Sequence, residues 1–202
     1  MIPKPKLTFW YEFASTYSWL AAERIEALAA AADVQICWRA FLLGPIFVAQ
    51  GWNSSPFNLY PAKGNNMWRD MERLCALMDL PPLTRPDPFP QNSLLAARVA
   101  TALSDSSRSA FSRAVYRAEF TENKSIADRE VMAQILRDTG VDADATLAVA
   151  ESPENKAALR TTIEQARSLG VYGAPSFTTK SGELFWGNDR LEQALSWAKK
   201  EV

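Results

Sequence analysis

The chain has 202 residues, 48% of them hydrophobic, and a formal net charge of −1. That length suits one large domain, or a small domain carrying an insertion, with apolar residues enough for a sizeable core. No basic run or stripe points to nucleic acid, no apolar run is long enough to span a bilayer, and MIPKPKLTFW has no signal-like apolar region, so the expected compartment is the cytoplasm.

Residues 7–13 are rich in aromatics and bounded by Pro5 and Ser15, which predicts a strand. A helix follows over 17–32, with Ala21, Ile25, Leu28 and Ala32 at helical spacing, and Asp33 ends it. Residues 34–43 alternate Val34, Ile36, Trp38 and Ala40 against polar neighbours, which predicts a second strand parallel to the first. Residues 43–64, punctuated by Gly and Pro, read as a long loop with at most one helical turn. A helix is predicted from Asn66, with Met67, Met71, Leu74, Cys75 and Met78 on one face, and a Pro-rich connector spans 80–91. Further helices are predicted near 93–104, 107–120, 128–139, 143–150 and 153–169. Asp128 reads as an N-cap, Gly140 and Gly170 as helix stops, and Pro153 as a first-turn residue.

After Gly170 the pattern returns to strands. Residues 174–187 predict two short strands joined at Ser181-Gly182, and NDRLEQALSWAKK a closing helix with Leu191, Ala194, Leu195 and Ala198 inward. Asp189 and Glu192 have capping-box spacing. The order β-α-β, helices, β-β-α predicts an α/β thioredoxin-like fold with an inserted all-helical domain. The expected boundaries are 1–62 and 170–202 for the thioredoxin-like part and 63–169 for the insertion.

The chain has no histidine, which removes a Ser-His-Asp triad, a Cys-His pair and His-based zinc sites. Acid–base work falls to carboxylates, lysines, tyrosines or a bound cofactor. Cys37 and Cys75 have no metal-ligand spacing and read as small buried hydrophobes, and no metal is expected.

Four places could hold chemistry. Ser15 precedes a helix, where a serine commonly caps; the same place, beside unpaired amides, also favours an anion such as a bound thiolate. Ala174-Pro175 precedes a strand, where a cis bond would present the Ala174 backbone to a ligand, although a trans loop proline is the commoner case. Asn188, Asp189 and Arg190 start the last helix. They could cap it, and they could also receive the ammonium and carboxylate of an amino-acid end. Lys63, with Asn53 in the loop before it, is either a solvated charge or a partner for a ligand carboxylate.

The motifs S-x-Y-S-W-L, LLGPIF with GWN and PAKG, FPQNSLLAARVA, GVYGAPSF and FWGNDRLEQAL, in this order over nearly the whole chain, resemble the 2-hydroxychromene-2-carboxylate isomerases. These are relatives of the kappa-class glutathione transferases and, more distantly, of the DsbA-like oxidoreductases. The resemblance implies a thioredoxin fold with a helical insertion, a homodimer, glutathione as cofactor and a small aromatic substrate. It implies Ser15 as the catalytic serine that stabilises the glutathione thiolate. Ala174 and the cis proline Pro175 match the residues that pair with the glutathione backbone. Asn188, Asp189 and Arg190 match the segment for its γ-glutamyl end, and Lys63 and Asn53 match the ligand cleft. The expected activity is glutathione-dependent isomerisation. A kappa-like transferase or peroxidase is the alternative, and a glutathione-binding protein with a degenerate site the non-enzymatic one. Two positions depart from the pattern: Thr16 where proline is common, and Asn65-Asn66 where an aromatic residue often follows KG.

Overall fold

The computed structural model describes residues 4–201. Strand β1 (Lys6–Tyr11) leads into helix α1 (Thr16–Ala32) and strand β2 (Gln35–Ala40). Helices α2 (Gly44–Ala49), α3 (Pro56–Leu59), α4 (Pro61–Leu77), α5 (Leu94–Ala102), α6 (Asp105–Phe120), α7 (Arg129–Asp138), α8 (Ala143–Ala150) and α9 (Pro153–Ser168) come next. Strands β3 (Ser176–Thr179) and β4 (Leu184–Trp186), a 3₁₀ turn (Asn188–Arg190) and helix α10 (Leu191–Ala198) close the chain.

The sheet order is β2-β1-β3-β4, with β1 parallel to β2 and antiparallel to β3. This is the predicted α/β arrangement, with helices inserted between β2 and β3. As a central strand, β1 is covered on both faces: Leu7, Phe9 and Tyr11 are buried on one side and Trp10 on the other. Phe9 packs on Tyr11, Trp38 and Phe177, which ties β1 to both neighbours. Helix α10 lies on β1, β3 and α1, whereas α5, α6 and α9 lie on β2.

Helix α1 starts where its sequence offers a cap. Ser15 is extended (φ −99°, ψ 115°) and its Oγ accepts from the Ser18 N–H. Asp33 ends the helix in the left-handed region at φ 53°, and Asp128 caps α7 through the Glu130 N–H. Gly140 and Gly170 take φ values of 75° and 77° just past α7 and α9.

Four local expectations change. The second strand ends at Ala40 rather than 43. The stretch 43–64 carries α2 and α3, and α4 begins at Pro61, not Asn66. Asp189 does not cap α10: it pairs with Arg190, and Glu192 pairs with Arg24. Cys75 is buried as expected, but Cys37 is only partly covered on β2.

Candidate active site

The β1-to-α1 turn, the loop before β3, the 3₁₀ turn before α10 and the α2-to-α4 region enclose one cleft of about 1820 Å³. Ser15, Asn53, Lys63, Ala174, Pro175, Asn188, Asp189 and Arg190 all line it. Residues far apart in sequence thus meet on one surface.

Ser15 sits at the junction of two walls. Its N–H donates to the Glu12 carbonyl at 3.1 Å, its Oγ accepts from Ser18 N at 3.2 Å, and it donates to the Ala174 carbonyl at 3.1 Å. Capping and facing the cleft are therefore one geometry. The first turn of α1 holds no acidic residue of its own. The Ala174-Pro175 bond is cis. The Ala174 carbonyl already receives the Ser15 hydroxyl, and the Pro175 carbonyl receives Gly187 N–H at 2.9 Å.

The other predicted residues differ in how freely they face the cleft. Asn188 is buried, and its Oδ1 accepts from Arg24 Nη1 at 3.1 Å. Asp189 and Arg190 are exposed and pair with each other at 3.0 Å. Lys63 is exposed, with its Nζ 4.9 Å from the Tyr60 ring centre, and Asn53 is exposed between α2 and α3. Trp52 and Phe57 line the cleft, with Phe47, Val48, Phe89 and Leu94. Trp68 instead packs on Phe89 at 4.7 Å.

Three cleft features go beyond the sequence reading, in which Thr16 appears only as a departure from the family pattern. Thr16 is buried and its hydroxyl reaches the Met67 sulfur at 3.3 Å, while the Tyr17 phenol donates to Asp70 Oδ2 at 2.9 Å. The start of α1 is thereby clasped to α4. Burial, with the Asp70 and Asp189 charges behind it, pushes the Tyr17 phenol well above its ordinary range, so it stays protonated. The third is Glu12, a buried carboxyl on the cleft floor. Its place just past an apolar strand is visible in the sequence, but nothing local says that the carboxyl will be buried there. Neither cysteine lines the cleft, and burial pushes the Cys75 thiol up to about 11.

Comparison with known proteins agrees with this architecture. The family model of the DSBA-like thioredoxin domain matches residues 6–197. A 2-hydroxychromene-2-carboxylate isomerase of Sphingobium xenophagum is 30% identical over 188 residues, 92% of this chain and 94% of that protein. Among solved structures, a 2-hydroxychromene-2-carboxylate isomerase superposes with a TM-score of 0.86 at 22% identity, covering 97% of this chain and 95% of the other. A probable DsbA oxidoreductase from Streptomyces coelicolor gives a TM-score of 0.78 at 20% identity, covering 98% and 91%. The structural likenesses show the fold.

Proposed function

Because the chain belongs to the DSBA-like thioredoxin domain family and has a 2-hydroxychromene-2-carboxylate isomerase among its relatives, we propose that it is a glutathione-dependent cis–trans isomerase of 2-hydroxychromene-2-carboxylate or a related aromatic-degradation intermediate. The observation that carries this reading is the Ser15 hydroxyl, which stands on the cleft at the start of α1 where no cysteine of the chain lines the wall. The sulfur for such a site comes with a ligand. Glutathione, when bound, supplies a thiolate able to add reversibly to a conjugated system, free a double bond to rotate, and leave unchanged.

The residues present fit that group. Ser15 can turn its O–H from the Ala174 carbonyl to a sulfur anion. Lowering a thiol pKa by about two units needs roughly 2.7 kcal/mol of differential stabilisation. A hydrogen bond to a charged atom contributes about 1.5–3 kcal/mol, and a helix N-terminus about 0.3–1 kcal/mol. Ala174 presents main chain beside Ser15, while Asp189 suits an ammonium and Arg190 and Lys63 suit carboxylates. Asn53 adds a neutral donor. Asn188 supports the turn through Arg24. At about 1820 Å³ the cleft exceeds the roughly 300–1,000 Å³ of a usual single-ligand site. It thus has room for a tripeptide and an aromatic molecule together, the latter against Phe47, Trp52, Phe57 and Phe89.

The test is glutathione binding by calorimetry, with thiolate absorbance followed across pH, on the wild type and Ser15→Ala. A thiol pKa lowered in the wild type and restored in the variant is expected, followed by isomerase turnover that returns glutathione unchanged. Net consumption of glutathione would instead make the protein a kappa-like transferase or peroxidase. Failure to bind glutathione at millimolar concentration overturns both.

A further inference from the structure

A thiol that ionises in the cleft gives up a proton, and the chain has no histidine to receive it. The acid–base groups on the cleft wall are already engaged in most cases. Asp70 holds the Tyr17 phenol, Asp189 pairs with Arg190, and Lys63 is a cation. Glu12 is different. It lies one residue past β1 and three before Ser15, and its carbonyl receives the Ser15 N–H. Its side chain is only 6% exposed and lines the cleft floor. Both carboxyl oxygens act as acceptors: Oε1 from Ala14 N–H at 3.4 Å and Oε2 from Leu43 N–H at 2.9 Å, with the Ser93 hydroxyl as a further donor. That is the pattern of a carboxylate. Among the described residues it forms no ion pair.

We propose that Glu12 is the proton acceptor of this cleft, its carboxylate taking up the proton that a bound thiol releases beside Ser15. The inference rests on the glutathione reading above. The balance is simple: the S–H bond breaks, its electron pair stays on sulfur, and the proton forms an O–H bond on Glu12. When the thiol is restored the proton returns. Burial raises Glu12 above an exposed carboxylate and makes it the stronger base, while the Ser93 hydroxyl and the Leu43 and Ala14 amides pull the other way. The titratable groups facing it are Tyr116 and Glu119 on α6, with Tyr11 next to it on β1. Burial holds both tyrosines up as neutral phenols. Glu119 is fully buried with both oxygens unpartnered, and burial, then the charge of Glu12, raises it well above the ordinary carboxylate range. From the sides of α2 and α5 only the Leu43 amide and the Ser93 hydroxyl reach it.

The experiment counts protons rather than turnover. Calorimetry in two buffers of different ionisation enthalpy gives the protons released when glutathione binds, and S-methylglutathione, which has no ionisable thiol, gives the baseline. With thiolate absorbance present, wild type should release close to no proton above that baseline, and Glu12→Gln should release up to one per site. An infrared difference spectrum of the wild type reads the same event without a variant: a protonated-carboxyl band should appear on glutathione binding and stay absent with S-methylglutathione. The band should persist in Glu119→Gln, which assigns it to Glu12 rather than to its buried neighbour. Thiolate formation with equal release from both proteins, or without the carboxyl band, overturns the role of Glu12 and leaves the glutathione site standing. Absence of glutathione binding removes the cofactor reading and this inference with it.

Discussion

Gly173 shows how closely the cleft rim is built. A Cβ on it would stand 2.4 Å from the Trp186 indole Nε1. Trp186 is half exposed and packs on Tyr172 at a ring separation of 5.1 Å, and both side chains line the cleft. Gly173→Ala therefore has to push the indole outward. The expected result is a changed Trp186 fluorescence and weaker ligand binding, with global stability altered by less than about 1 kcal/mol because the displaced ring can move into solvent. A fluorescence spectrum and glutathione affinity matching the wild type would show that the rim does not depend on this contact. At this scale the sequence is informative where signals are local. Ser15 follows an apolar strand and precedes a helical pattern, so its cap could be read directly. Glu12, Asp70 and Arg24 could not, because each acts through a partner at long sequence separation: Leu43, Tyr17 and Asn188. Nothing in a run of residues says that a carboxyl will fold under a helix start.

Between β2 and the long helix α4, prolines were read as loop punctuation, and the structure gives them another use. α2, α3 and α4 each carry proline in the first turn, at Pro45, Pro56 and Pro61. There the missing N–H is no loss and the fixed φ suits the helix. Helices as short as α2 and α3 also give too few turns for an apolar period to emerge. The longer helices α6, α7, α8 and α9 were legible from their periodicity and end signals. What holds α3 on α4 is a close approach: a Cβ on Gly64 would meet the Phe57 carbonyl oxygen at 2.3 Å. That atom is backbone and cannot rotate away. Gly64→Ala should destabilise the fold by about 1–3 kcal/mol, read as a lowered denaturant midpoint. It should also weaken binding of an aromatic ligand, because Phe57 is part of the cleft wall. An unchanged midpoint would mean that α3 is free to shift.

Over the whole molecule, the inserted helices and the sheet share a polar seam inside an otherwise apolar core. Ser112, Tyr116 and Glu119 lie along one side of α6; Ser112 bonds the Tyr11 phenol at 2.8 Å and Tyr116 donates to the Glu12 carbonyl at 3.0 Å. Glu119 continues the seam without a partner, and the Ser18 hydroxyl is likewise unpartnered and buried. An unpaired buried carboxyl is expensive, and the molecule lessens that cost by keeping it protonated: burial first, then the Glu12 charge, raise Glu119 well above the ordinary carboxylate range. The consequence for stability has a definite sign. The native state binds this proton more tightly than the unfolded chain, whose carboxyl titrates near about 4.3. Raising the pH above that value therefore favours unfolding, progressively, until the folded group itself ionises. Glu119→Gln keeps the shape and removes the titration. Thermal melts across pH should show the variant gaining on the wild type as pH rises above the unfolded carboxylate value. Glu12 is electrostatically coupled to Glu119, so the difference between the curves reports the titration of the pair. Parallel curves would mean that Glu119 finds in solution a partner that offsets its burial.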